Sequence, residues 1–227
     1  MFFQRAIELD PTFASAYVGL TTRALREVTF GSSGPTGGLL QLTEAWARKA
    51  SAMDPGDADA QSALANALYL QGELQAGLTQ AERALAINPT SALANCARGT
   101  GLLFPGRPAE ARQALLTSLR LSPRDPLCYI ALSQVAISYY CEHDYAVAEQ
   151  AARQVIAAQP NNPLPYRWLA ASLGQLGRAD EAQAALHKAV AVAPRTFDFY
   201  VHTRPPWMRP EDHAHLLDGL RKAGWQG

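Results

Sequence analysis

The side chains best suited to metal binding or acid–base chemistry are five histidines, and their spacing decides what they could do. His213 and His215 lie two residues apart, so on one helix they point to different sides. Paired ligands on a helix need a spacing of three or four residues. His143, His187 and His202 are isolated from one another in sequence. The pattern predicts no metal site and favours solvated surface histidines.

Three cysteines, Cys96, Cys128 and Cys141, are the next reactive group. They form an odd number, and no CxxC pair or cysteine–histidine cluster accompanies them. This usage is typical of neither a disulfide framework nor a zinc site. It indicates a reducing compartment and predicts a cytoplasmic protein.

Motifs of nucleophilic or nucleotide chemistry are also missing. The glycine-rich segment GSSGPTGG (31–38) lacks the Gly-Lys-Ser/Thr ending of a phosphate-binding loop and follows a predicted helix, not a strand. Glu211 and Asp212 are adjacent at a predicted helix start, where acidic residues favour the helix dipole. We therefore predict no catalytic residue, no cofactor and no enzymatic activity in this chain.

Composition narrows the class of partner. Hydrophobic residues make up 48% and charged residues 18% of the 227 residues, which is typical of a globular chain. Lys+Arg and Asp+Glu both number 20, so the basic excess of a nucleic-acid-binding protein is absent. No apolar run approaches the ~18 residues of a membrane span, and MFFQRAIELDP lacks the apolar region of a signal peptide. We predict neither nucleic-acid nor membrane binding.

Prolines divide the chain at near-regular intervals. Each one follows an apolar helix end, and proline stops a helix because it lacks the N–H group and clashes with the preceding turn. The spacings are 44, 34, 34, 37 and 34 residues, from the prolines Pro11, Pro55, Pro89, Pro123, Pro160 and Pro194. A period of about 34 residues is that of paired-helix repeats.

Small and aromatic residues keep the same register. Mostly small residues fall five before each proline, twelve before the last four and ten after the first five: Ala6, Ala50, Ala84, Ser118, Val155 and Ala189; Gly77, Ala111, Ala148 and Ala182; Thr21, Ala65, Gly99, Ser133 and Ala170. The sixth residue after a proline is Tyr17, Tyr129, Tyr166 or Tyr200, replaced by Gln61 and Asn95. The chain thus resembles the tetratricopeptide repeat (TPR) family over residues 1–200. The resemblance implies an all-α superhelical solenoid of antiparallel helix pairs with a C-terminal capping helix.

The predicted organisation has two parts. Residues 1–195 form the solenoid, with a partial repeat at 1–11, then about five repeats, and a flexible glycine-rich insertion at 31–38. Residues 196–227 form a proline-rich segment and a capping helix over Pro210–Ala223. The first helix lacks its partner, which would leave Phe3 and Ile7 uncovered. We expect the chain to be a fragment of a longer protein, with a covering partner as the alternative.

In TPR proteins the first helix of each pair lines a concave groove. The positions that would face it here are Val18, Leu25, Asn66, Tyr69, Leu103, Phe104, Ile130, Gln134, Ile137 and Arg167. The Lys and Asn clamp of chaperone-binding TPRs is missing, so we predict no such activity. The middle of the groove is mostly apolar, around Leu103, Phe104, Ile130 and Ile137. It either receives a peptide or helix of a partner, or is packed by helices of the chain itself.

The tail RPPWMRPEDHAHLLDGLRKAGW (204–225) resembles the ending of bacterial multidomain proteins that join an adenylate/guanylate cyclase-type domain to a TPR region. The resemblance implies a regulatory scaffold that binds a protein or peptide partner, or a second copy of itself. No residue matches the catalytic domain, so any cyclase activity would lie outside this chain. The alternative is a free-standing adaptor.

Overall fold

The structure, a computed structural model, describes residues 2–30, 37–124 and 128–227. Within these ranges every regular element is an α-helix. The thirteen described helices are α1 Phe2–Leu9, α2 Ala14–Phe30, α3 Gly37–Met53, α4 Ala58–Leu70, α5 Leu74–Ile87, α6 Ala92–Leu103, α7 Pro108–Leu121, α8 Cys128–Cys141, α9 Tyr145–Ala158, α10 Pro163–Gln175, α11 Ala179–Val192, α12 Pro194–His202 and α13 Pro210–Lys222. The predicted all-helical fold is confirmed.

The prolines act on the backbone as predicted. Helix α5 ends at Ile87, two residues before Pro89, and α6 begins directly after Ser91. The Ser91 hydroxyl oxygen accepts a hydrogen bond from the Ala94 N–H group at 3.1 Å. This bond satisfies one of the N–H groups that a helix start leaves without a partner.

The residue six positions after a proline ties the next helix to the break. At four of the six positions the side chain donates a hydrogen bond to the carbonyl oxygen of that proline, and Gln61 and Asn95 there reproduce the role of the tyrosines. The four bonds are Tyr17 to Pro11 at 3.3 Å, Gln61 to Pro55 at 3.3 Å, Asn95 to Pro89 at 3.5 Å and Tyr166 to Pro160 at 2.9 Å.

Helices α2–α3, α4–α5, α6–α7, α8–α9 and α10–α11 form five packed pairs. The first helices also pack side by side, and α2 touches α10 across the row. The small residues of the repeat lie at the close crossings: Ala50, Ala84, Ala111 and Ala182 are fully buried. A row of first helices on one side of the solenoid defines its concave face.

Turns within the pairs need a backbone with positive φ. Gly72, Gly106 and Gly177 have φ values of 84°, 92° and 72°, which cost glycine no steric strain. The corresponding turn between α8 and α9 uses His143 at φ 64°. Of the predicted insertion at 31–38, residues 31–36 lie outside the described ranges, whereas Gly37 and Gly38 belong to the first turn of α3.

The C-terminal helix α13 packs mainly on α10 and also touches α11. Gly174 of α10 and Gly219 of α13 allow a close approach of the two backbones. Leu216 and Leu220 are fully buried at this crossing and belong to the largest apolar cluster of the protein. Helix α13 is thus part of the core and not a loosely attached appendage.

Helix α1 is covered on one side by α2. It packs on α2, with the Phe3 ring against Gly19 and Ile7 half-buried. No residue of α1 is buried, however: Phe3 is still 43% exposed, Phe2 is 92% exposed, and Leu9 is also exposed. The apolar face of α1 is therefore only partly uncovered.

Candidate binding groove

The concave face holds a groove that we define by its lining from α2, α4, α6, α8, α10 and α12, with contributions from α7 and from residues 207–208. Water-sized molecules could occupy about 170 Å³ of it. That is close to the size of the engineered cavities of ~150 Å³ that hold one benzene ring. The enclosed part suits one or two side chains of a ligand and not a whole folded partner.

Eight of the ten predicted groove residues line this groove: Leu25, Asn66, Tyr69, Phe104, Ile130, Gln134, Ile137 and Arg167. The other two do not. Val18 packs near the first repeat boundary, beside Tyr17 and Ala50. Leu103 is buried within the main core cluster. A position in the repeat gives the general direction of a side chain, but the local crossing of two helices decides whether the side chain reaches the groove.

The chain itself fills part of the groove through residues 203–209, which we name the closing segment. Trp207 and Met208 are only 7% and 4% exposed and line the groove. Pro206 lies against the turn at Gly72, and Arg209 lies against the turn at Gly106. The groove is therefore partly packed by the chain itself, and the rest of it is open; the binding of a partner remains a prediction.

Hydrogen bonds hold some of the polar side chains of the groove. The Thr100 hydroxyl donates to the Gln134 side-chain oxygen at 2.9 Å, which links α6 to α8. The Asn66 amide donates to the Ser62 carbonyl oxygen at 3.0 Å. These bonds fix the polar side chains of the wall in place before any ligand arrives.

Arg167 differs from these residues. Its helix α10 is preceded by Asn162, whose side-chain oxygen accepts a hydrogen bond from the Leu164 N–H group at 3.0 Å, and neighbouring helices bury α10 almost all round. Arg167 is 3% exposed, and its guanidinium carbon lies 3.9 Å from the centre of the Tyr200 ring. Burial lowers the pKa of Arg167 to about 10, which still leaves the side chain charged at neutral pH.

Within residues 2–30, 37–124 and 128–227, no carboxylate forms an ion pair with Arg167, and its Nε atom has no hydrogen-bond partner. The Tyr69 hydroxyl and the Trp168 indole nitrogen, which belong to two other residues that line the groove, are also buried without a hydrogen-bond partner in these ranges. Burial also raises the pKa of Tyr69, so the hydroxyl stays protonated. The groove therefore combines apolar walls with two cations, the exposed Arg26 and the buried Arg167.

The sequence analysis missed a cluster of aromatic and imidazole rings beside α13. The ring of His215 stacks on the ring of His143 and on the ring of Tyr140, each with 4.5 Å between the ring centres. The Tyr145 hydroxyl lies 2.7 Å from His143 Nδ1 and 2.9 Å from His215 Nε2. His143 is exposed, as predicted, but it is not isolated in space, because its ring lies on that of the half-buried His215. The sequence signal that could have pointed to this ring cluster is His143 itself, which stands in the turn between α8 and α9 where three other pairs have glycine.

His213, two residues before His215, points elsewhere and lies 2.8 Å from the Tyr200 carbonyl oxygen. In the described ranges, no group of three or more His, Cys, Asp or Glu side chains could hold a metal ion. Nor does any described helix combine the length and apolarity that crossing a membrane requires.

The geometry defines the class of protein, because stacked antiparallel helix pairs with one concave wall form a helical-repeat scaffold. The sequence profile of the tetratricopeptide repeat family matches residues 44–92 and 96–163, which together make up more than half of the chain. The chain therefore belongs to the tetratricopeptide repeat family. None of the curated proteins matches the chain in sequence.

Solved structures support the same fold. PilW, described as a widely conserved type IV pilus biogenesis factor, is 21% identical over 93% of this chain and 89% of PilW, with a TM-score of 0.64. Pseudomonas aeruginosa PilF is 19% identical over 93% of this chain and 87% of PilF, with a TM-score of 0.62. YrrB, described as a TPR protein with an unusual peptide-binding site, is 19% identical over 87% of this chain and 95% of YrrB, with a TM-score of 0.51. At these identities the likeness concerns the fold alone.

Proposed function

We propose that this protein is a non-catalytic scaffold that binds a peptide or helix of another protein in its concave groove. The observation that carries the proposal is the incompletely filled groove, whose wall keeps apolar side chains such as Phe104 and Ile130 only half-buried. A partner that covers these side chains would gain roughly 25 cal/mol for each Å² of apolar surface it removes from water. The size of the enclosed space favours anchoring by one or two apolar side chains of an extended or helical segment.

Phe104→Asp tests this proposal, because Phe104 lies at the end of α6 and contributes a half-buried ring to the groove. We expect the variant to keep its circular dichroism spectrum and to lose binding to peptides selected on the wild-type protein from a random octapeptide library. Leu116→Asp is the matched control, since Leu116 is an exposed apolar residue of α7 outside the groove lining. Loss of folding in Phe104→Asp alone would instead favour a groove that only the chain itself fills.

We also propose that the scaffold is the regulatory region of a bacterial adenylate/guanylate cyclase-type protein and works in the cytoplasm. The resemblance of the tail at 204–225 supports the first part, and the odd number of cysteines supports the second. In such a protein the catalytic residues would lie in another domain, and the groove or self-association would convey the regulatory signal. A free-standing adaptor is the alternative.

The coding DNA upstream of Met1 distinguishes these alternatives. An open reading frame that runs back into a cyclase-like domain would support the regulatory role, and the same peptides could then be tested for their effect on cyclic nucleotide formation. A stop codon and a ribosome-binding site directly upstream would favour the adaptor.

A further inference from the structure

We propose that the groove selects an apolar segment that carries one carboxylate, and that Arg167 binds this carboxylate. The inference rests on the proposed function, because it names the chemistry of the ligand for the same groove. It differs from a purely apolar groove in predicting a charge requirement that can be measured separately from binding itself.

The first argument is the cost of burying a lone cation. Arg167 is 3% exposed, and no carboxylate of the described residues pairs with it. An isolated buried charge costs several kcal/mol unless another group compensates it. The Tyr200 ring at 3.9 Å offsets part of this cost through a cation–π contact, which leaves the edges of the planar guanidinium for hydrogen bonds.

The second argument is the kind of hydrogen-bonding groups that surround the cation. Three buried polar atoms of residues that line the groove lack a partner in the described ranges: Arg167 Nε, the Tyr69 hydroxyl and the Trp168 indole N–H. Arginine and indole nitrogens can only donate, and the hydroxyl can donate as well as accept. Acceptors of the wall, such as the Gln134 side-chain oxygen, are already used by Thr100. A ligand with acceptor atoms and negative charge therefore matches the groove, whereas a ligand lysine would meet uncompensated repulsion.

The third argument is position. Arg167 lines the same groove as the apolar side chains Phe104, Ile130 and Ile137. A ligand that places an apolar side chain in the enclosed space can thus present an acidic group from a nearby residue. Arginine suits this role because its planar fork matches the geometry of a carboxylate.

The experiment uses arrays of random octapeptides, one set with free and one with amidated carboxyl ends, probed with the full chain. Binders are resynthesised with each Glu or Asp replaced by Gln or Asn, and affinities are measured by fluorescence anisotropy. We expect the binders to carry an acidic residue or to need a free carboxyl end. Removal of that charge should weaken binding at least about tenfold, since hydrogen bonds to charged groups are worth this much or more. The two arrays separate a side-chain carboxylate from a chain terminus.

Arg167→Met is the decisive variant, because methionine fills much of the same space without charge. We expect it to bind the acidic peptide and its neutral twin equally, with no loss of stability in urea, since an unpaired buried cation has been removed. Arg167→Lys keeps the charge and should retain a weaker preference for the acidic peptide. Arg26→Met is the matched control, since Arg26 lines the groove but is exposed. It should leave the preference unchanged.

If Arg167→Met still bound the acidic peptide at least about tenfold more tightly than its neutral twin, another group would hold the carboxylate, and the inference would be overturned. Wild-type binders without an acidic preference would also overturn it but leave the proposed function intact. A failure to select any peptide that depends on Phe104 would overturn both.

Discussion

The crossing of α10 and α13 offers the sharpest test of how the C-terminal helix is held, through the substitution Gly174→Ala. A methyl group at Gly174 would overlap the backbone oxygen of Gly219 and would lie 3.0 Å from the backbone nitrogen of Ala223. These neighbours are backbone atoms, so they cannot give way by rotating a side chain. Helix α13 would have to move away from α10 as a unit.

The expected cost follows from two opposing effects. Overpacking of a tight contact costs typically 1–3 kcal/mol, and the rigid neighbours here place the cost near the upper end. Alanine in place of glycine stabilises the helix by about 1 kcal/mol through its higher helix propensity. The net loss in the free energy of unfolding should therefore be about 2 kcal/mol. Complete detachment would cost more, because Leu216 and Leu220 are fully buried and each contributes about 1.5–3 kcal/mol.

Urea denaturation followed by circular dichroism measures this loss, and native-state hydrogen exchange shows whether the amides of α13 lose protection. Gly38→Ala is the matched control, because Gly38 lies in helix α3 with no atom within 4 Å of an added methyl group. The control should be neutral or slightly more stable than wild type. If Gly174→Ala were as stable as the control, with unchanged protection of α13, the described crossing would be wrong.

Two further predictions concern the helix crossings and the ring cluster. Ala182→Leu and Ala111→Leu, at fully buried positions, should each cost about 1–3 kcal/mol by overpacking in chemical denaturation, and no loss at either site would reject the repeat register. His215 has a lowered pKa, chiefly through burial and then through the nearby His143, whereas Asp212 and Asp218 oppose the shift more weakly. The folded state therefore binds a proton less readily than the unfolded state, whose pKa is about 6.5. The contribution of His215 to the free energy of unfolding should be fully present above pH 6.5. It should be lost as the pH falls from that value through the lowered pKa of the folded state. His215→Gln should flatten this part of the stability curve, and an identical curve in both proteins would contradict the assignment.

Much of the fold could be predicted from local rules. Proline stops a helix wherever it stands, and the small residues recur at the interval at which helices must cross, so the repeat could be predicted from order and spacing alone. Even the replacement of tyrosine by Gln61 and Asn95 fits one local function, the hydrogen bond to the preceding proline carbonyl. For the same reason eight of the ten predicted groove residues line the groove.

The ring cluster shows where such reasoning ends. His143 and His215 lie 72 positions apart in sequence, and their stacking depends on how α13 folds back onto the solenoid. Nothing in the spacing of either residue contains that information. The positive φ of His143 is also visible only in the folded chain.

By itself the sequence determined the helix boundaries, the repeat and the general direction of the groove, because these depend on contacts within one or two neighbouring repeats. The tertiary structure alone decided that the closing segment returns to the turns at Gly72 and Gly106 and occupies part of the groove. It also decided that Arg167 is buried beside Tyr200 without a carboxylate from the described residues. Both features depend on the packing of the C-terminal helices against distant parts of the solenoid. The spacing of residues along the chain reports contacts between neighbouring repeats and therefore does not predict such packing.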